Sequence, residues 1–271
     1  MEDAGVGVPI VLLHGWFLNA RMWQPQFDVL ADRLRLIAID LRGHGGTPCP
    51  VTPRSLDRPR DVMAVLDQLG VERAVFCGLS MGGPIALQIA LDHPERCLGL
   101  ALLAAGPGPA DRPMKATAEM RADAELQAQR LLELGVVDYF YSAGVSSALG
   151  VKEFLANPAH RRFFDSVLAA NRAAWLADTF RLRALDVPPE MGRLLTAERR
   201  RRLPELMAPV LFMVGARDAE FLPVAELLKT DVPHSDIEVV AGATHLISID
   251  SAERVNQRLF EFVRTCAAGK T

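Results

Sequence analysis

No stretch of this chain is apolar over the ~20 consecutive residues that a bilayer span requires, so a membrane-embedded protein is not expected. Basic residues are missing from the start, Met1-Glu2-Asp3-Ala4-Gly5, which lacks the charged opening of a secretory signal. Cysteine is scarce. Cys49, Cys77, Cys97 and Cys266 lie far apart and form no Cys-x-x-Cys pair, which argues against a metal site or a disulfide framework and for reduced thiols in the cytoplasm. Neither sign of charge dominates: 30 Lys and Arg face 33 Asp and Glu, a net charge of −3. Nucleic acid and anionic membrane are therefore not expected as partners. The one basic run, Arg199 to Arg202, follows Glu198 in a helical segment and reads as a solvated helix face. Repeats and low-complexity tracts are also absent.

What is present is an alternation. Short apolar runs of strand type, Ile10 to Leu13, Leu34 to Ile39, Ala74 to Phe76 and Leu98 to Leu103, alternate with amphipathic segments at about Met22 to Asp32, Ser55 to Leu69 and Pro84 to His93. Ser55 is placed to cap its helix and Gly70 to end it. Continuous apolar strands between helices predict an α/β fold, a mostly parallel sheet with helices on both faces. After the fourth of these strands the pattern turns wholly helical, with Glu119 to Leu134, Lys152 to Leu155 and Ala159 to Leu185 as its clearest segments. Val210 to Val214 restarts the alternation, followed by a helix near Val224 to Lys229, a strand Ile237 to Val240 and a helix Ala252 to Arg264. The expected division is a body made of residues 1–106 and 205–271, interrupted by a helical cap over 107–204.

Gly78-Leu79-Ser80-Met81-Gly82 sits where an apolar run gives way to a helix. A sharp strand-to-helix turn would hold Ser80 above the sheet edge and over a helix N-terminus, with the glycines leaving room for the crossing backbone. A serine hydroxyl is a weak nucleophile at neutral pH and needs a base, itself oriented by an acid. Of the six histidines, His245 lies in a short loop after the last strand. His14 and His44 also follow strands, in glycine-rich turns where imidazole commonly holds backbone. Asp218 lies in the turn after Val210 to Val214, so the chain order is Ser80, Asp218, His245. The two donors of an oxyanion hole are expected from the backbone N–H groups of Met81 and Trp16.

These pieces carry a family resemblance. Leu12-Leu13-His14-Gly15-Trp16, Asp40-Leu41-Arg42-Gly43-His44-Gly45, Gly78 to Gly83, Asp92-His93-Pro94-Glu95-Arg96, Gly215-Ala216-Arg217-Asp218 and His245 resemble the α/β-hydrolase superfamily. Within it they look like the small bacterial esterases and lactonases that include 3-oxoadipate enol-lactone hydrolases and pimeloyl carrier-protein methyl esterases. The resemblance implies catalytic Ser80, Asp218 and His245, an oxyanion hole at Trp16 and Met81, a helical cap over the pocket, and no cofactor or metal. It implies a serine hydrolase acting on a small ester or lactone. A carbon–carbon bond hydrolase and a ligand-sensing receptor with little turnover share the same pieces.

The substrate wall is expected to draw on Trp16, Phe140, Trp175 and Leu246, although aromatic residues of the helical stretch also serve to pack it. Arg161, Arg162, Arg172, Arg181 and Arg183 could meet a substrate carboxylate or an acidic carrier protein. Two features depart from the family pattern. Only nine residues precede Ile10, so the antiparallel N-terminal hairpin is expected to be missing. Thr244 stands before His245, where the family often has glycine.

Overall fold

A computed structural model describes residues 1–49, 57–107, 118–142, 151–152, 154–183 and 196–269. Seven strands form one sheet: β1 (Glu2–Ala4), β2 (Pro9–Leu13), β3 (Arg35–Ile39), β4 (Ala74–Leu79), β5 (Cys97–Leu103), β6 (Val210–Gly215) and β7 (Ser235–Val240), in the order β1-β3-β2-β4-β5-β6-β7. All neighbours are parallel except β1 and β3. Among the described residues no full hairpin precedes β2, but the edge is not bare. A single three-residue strand covers it, tied by the Arg35 guanidinium to Asp3 at 2.7 Å. Glu-Asp-Ala shows no apolar alternation, which is why the sequence gives no sign of this strand.

The period-two geometry of the strands divides their side chains between two apolar layers. Ile10, Leu12, Leu36, Val75 and Cys77 face one side, together with Leu30 and Leu259. Val11, Leu13, Ile37, Phe76 and Leu100 face the other, together with Val62, Leu66, Leu87 and Leu228. The covering helices are α1 (Gln24–Leu30), α2 (Arg58–Gln68), α3 (Gly82–Asp92), then α4 (Ala118–Ser142), α5 (Pro158–Ala169), α6 (Ala173–Arg183) and α7 (Thr196–Arg202) before β6, and α8 (Leu222–Asp231), α9 (Ile247–Asp250) and α10 (Ala252–Ala268) after it. Asp57 caps α2 through the Arg60 N–H at 3.2 Å; the expected cap, Ser55, lies outside the described residues.

Between β5 and β6 the regular elements of the described residues are all helices. Helix α4 breaks at Gly135, whose φ is 76°. The expected single segment Ala159 to Leu185 is two helices, α5 and α6, separated at residues 170–172. The basic run in α7 is not simply solvated. Arg199 is buried and donates to the Pro107 carbonyl at 2.7 Å, and Arg202 pairs with Asp92 at 2.7 Å, so the run docks its helix onto the body.

The strand order reverses direction between β2 and β4: β2 leads to β3 on one side, and β4 then begins on the other. In an open parallel sheet the crevice beyond the carboxyl ends at such a switch point is where ligands bind.

Candidate active site

Strand β4 ends at this switch point in a tight elbow. Ser80 adopts φ 50°, in the left-handed region. Its N–H donates to the Leu103 carbonyl at 3.1 Å, and its carbonyl accepts the Gly83 N–H at 3.0 Å, so hydrogen bonds on both sides hold the unusual conformation. The flanking glycines are steric requirements. A Cβ on Gly82 would lie 2.1 Å from the Leu13 carbonyl oxygen, and one on Gly78 would lie 2.4 Å from Gly82 backbone. Gly82→Ala should therefore destabilise the protein by on the order of 3 kcal/mol, or prevent folding, as read by thermal melting.

The loops after β6 and β7 meet on the same rim. A Cβ on Gly215 would lie 2.3 Å from the Ala243 carbonyl oxygen, and the Arg217 N–H donates to that oxygen at 3.0 Å. This close approach brings Asp218 to His245. The imidazole Nδ1 and the Asp218 Oδ2 are 2.8 Å apart, with both side chains 4% exposed. The other carboxylate oxygen of Asp218 accepts the Phe221 N–H at 3.3 Å, and the Phe221 ring lies 5.1 Å from the imidazole. With Nδ1 donating to the carboxylate, Nε2 is the ring nitrogen left to accept a proton.

The departure at Thr244 has a structural reason. Its N–H and hydroxyl both donate to Asp250 Oδ2, at 2.7 and 2.5 Å, and its Oγ1 accepts the Leu246 N–H at 3.2 Å. Thr244 and Asp250 thus close the loop that carries His245, a task for which a glycine has no side chain. A threonine beside a candidate base, with an acid 6 residues further on, is the local signal that marks such a closure.

Across the switch point lies the loop after β2. A Cβ on Gly15 would sit 3.3 Å from the Ser80 Cβ, so this backbone runs directly beside the elbow. The Gly15 carbonyl accepts the Leu18 N–H at 3.2 Å and the His14 Nδ1–H at 2.8 Å. A trans peptide is planar, so holding this oxygen also fixes the opposite direction of the Trp16 N–H. His14 is itself oriented, since its Nε2 accepts the Leu41 N–H at 3.0 Å. Phe17 comes next with φ 64°, a conformation that costs a phenylalanine about 1–3 kcal/mol and persists only where its surroundings impose it.

Burial pushes the His14 pKa down to about 4, from 6.5. Burial also pushes His44 well below its ordinary value, with His14 and Arg58 nearby adding to the effect; the two imidazoles lie 4.9 Å apart. Both rings are neutral posts that hold backbone. An unfolded chain binds a proton at His14 below about pH 6.5, whereas the folded chain resists until about pH 4. Stability should thus be complete above that window and fall with pH through it. The His14 depression alone corresponds to about 3 kcal/mol. Urea midpoints at pH 7.5 and pH 5 check this; an unchanged midpoint would contradict it.

Among the residues expected to line the pocket, Trp16 is half-buried and Phe140 is fully buried. Trp16 and Phe140 join one aromatic cluster through Phe17: ring centroids are 5.9 Å apart for each contact. Phe180 packs on both Trp16, at 5.4 Å, and Phe17, at 6.0 Å. Trp175 stands apart from the cluster with the Arg172 guanidinium 4.6 Å over its ring. Leu246 is buried at the start of α9. Two of the highlighted arginines pair with carboxylates of the described residues: Arg161 with Asp165, and Arg181 with Glu125 and Asp178. Among the described residues no three His, Cys, Asp or Glu side chains group as a metal ion would need, and no helix is long and apolar enough to cross a membrane.

Residues 8–252 match the family described as the alpha/beta hydrolase fold, and the chain belongs to that family. A pimeloyl-(acyl-carrier protein) methyl ester esterase of Yersinia enterocolitica is 28% identical over 94% of this chain and 93% of its own length. The 3-oxoadipate enol-lactonase 2 of Acinetobacter baylyi is 28% identical over 88% of this chain and 82% of its own. Among solved structures, a thermophilic esterase from Thermogutta terrifontis superposes with a TM-score of 0.77 at 28% identity, covering 98% of this chain and 92% of that one.

Proposed function

We propose that the protein is a serine hydrolase that cleaves a carboxylic ester or lactone through an acyl-enzyme. The observation that carries this reading is the 2.8 Å bond between Asp218 and His245 on the rim that also holds the Ser80 elbow. Ser80 attacks the carbonyl carbon while His245 Nε2 takes its proton; the imidazolium then returns that proton to the leaving alkoxide. Water, deprotonated by the same nitrogen, releases the acid and restores the serine. Asp218 keeps the proton of the neutral imidazole on Nδ1, and the Trp16 and Met81 N–H groups receive the negative charge of the tetrahedral intermediate.

The helical insertion acts as a cap, with Phe180 and Trp175 as its apolar contribution, beside Trp16 of the body, to an acyl site behind which the buried Phe140, Phe17 and Leu246 pack. An acidic carrier protein, if one presents the acyl group, would engage Arg162 and Arg172, because Arg161 and Arg181 already hold carboxylates. Its binding would weaken steeply with salt. Four free, buried thiols fit a reducing, cytoplasmic setting.

The test is a chain-length series of p-nitrophenyl esters together with several lactones and a dienoic diketone, all assayed on the wild type. Multiple turnover of esters or lactones supports the reading. Turnover of the diketone alone would replace it with carbon–carbon hydrolysis, and tight binding without turnover would replace it with a receptor.

A further inference from the structure

One polar side chain of the helical insertion reaches into the body beside the elbow. Asn171, in the break between α5 and α6, accepts the Gly45 N–H on its Oδ1 at 2.7 Å and donates from Nδ2 to the Phe17 carbonyl at 2.7 Å. A longer bond, 3.2 Å, returns from the same nitrogen to the Leu168 carbonyl. Its amide thus joins three segments: the loop after β2, the loop after β3 and the insertion. A second tie runs parallel to it, from Asn19 Nδ2 to the Val167 carbonyl at 2.6 Å. The Gly43 turn presses on α6 as well, since a Cβ there would lie 2.0 Å from Thr179 Cγ2.

The bond to Phe17 matters because the restraint passes along the backbone. The Phe17 carbonyl and the Leu18 N–H belong to one planar peptide unit, and the Leu18 N–H donates to the Gly15 carbonyl at 3.2 Å. That carbonyl belongs in turn to the peptide unit of the Trp16 N–H. Asn171 therefore sets one plane, which sets the next, across a residue whose φ of 64° phenylalanine would not choose alone.

We propose that Asn171 is a positioning residue through which the seating of the helical insertion aligns the Trp16 N–H for transition-state charge. This rests on the serine-hydrolase reading above, in which that N–H is an oxyanion donor. When the insertion sits on the body, the donor is in place. When it lifts, the strained loop at Phe17 is released and the donor turns away. A substrate that helps close the insertion would thereby complete its own catalytic site.

The experiment compares the wild type with Asn171→Asp, which keeps an acceptor for Gly45 but puts an oxygen against the Phe17 carbonyl. With p-nitrophenyl acetate, kcat should fall about tenfold or more while KM stays within about threefold, since a transition-state contact is lost and ground-state binding is not. The amide exchange of Leu18, followed by NMR, should quicken while amides of β4 and β5 remain protected. Should the aspartate variant fail to fold, Asn171→Ser supplies the same comparison with a weaker donor. Unchanged kcat with unchanged Leu18 exchange would overturn the proposal, as would a rise in KM alone, which would make Asn171 part of a binding wall. A wild type that turns over neither ester nor lactone would sink the serine-hydrolase reading instead, and Leu18 exchange would then decide the backbone relay by itself.

Discussion

Ser80→Ala should lower ester turnover by ~10⁴-fold or more and leave the melting temperature within ~2 °C of the wild type. The two halves of that result have separate causes. On the proposed mechanism, turnover falls because the only atom removed is the one that forms the acyl bond, and water acting without it has only the oxyanion donors and bound substrate to help. Stability holds because the elbow is maintained by backbone groups, Ser80 N–H to Leu103 and Gly83 N–H to Ser80, which alanine keeps. The backbone strain at φ 50° is nearly the same for the two residues. A variant retaining more than a few per cent of turnover would remove Ser80 from the chemistry, whatever the remaining groups do. A variant that melted far below the wild type would show that the hydroxyl is structural.

Asp218→Asn should be almost as damaging, by ~10⁴-fold in kcat with little change in KM. Asparagine is nearly isosteric and can still accept the Phe221 N–H through its carbonyl oxygen. Its amide nitrogen then faces His245 Nδ1 as a donor, which forces the ring proton onto Nε2. That nitrogen can no longer take the serine proton, although nothing has moved. The prediction is checked by steady-state kinetics on the variant with its melting temperature measured alongside. Loss of less than tenfold would mean that another group orients His245, or that this histidine is not the base.

The parallel sheet was legible because its strands are buried on both faces, and such strands read as unbroken apolar runs that no amphipathic helix imitates. Asp218 and His245 were legible as neighbours for a related reason: each closely follows a strand, and parallel strands deliver all such turns to one rim. Strand β1 was hidden because three residues with no apolar alternation pair through backbone alone. The break at 170–172 was hidden because its helices keep a similar composition on both sides, and a lone asparagine carries no local sign of the long-range bonds that Asn171 makes. Phe17 was hidden for the opposite reason. A phenylalanine predicts ordinary backbone, and only long-range contacts, from Asn171 and from the ring of Phe180, hold it where glycine or asparagine would be expected. The capping of the His245 loop by Thr244 and Asp250 is local, but it looked like a departure from a family habit, whereas it replaces that habit with a hydrogen-bonded closure.

The chain also has a temporal order written into its topology. Synthesis delivers β4 and its elbow before the helical insertion, and β6 and β7, with Asp218 and His245, after it. A nascent or prematurely released polypeptide that stops before β6 has a serine with nothing to deprotonate it. On the proposed mechanism, the nucleophile is thus made before the groups that would activate it, and a polypeptide halted in the insertion would have no ester turnover.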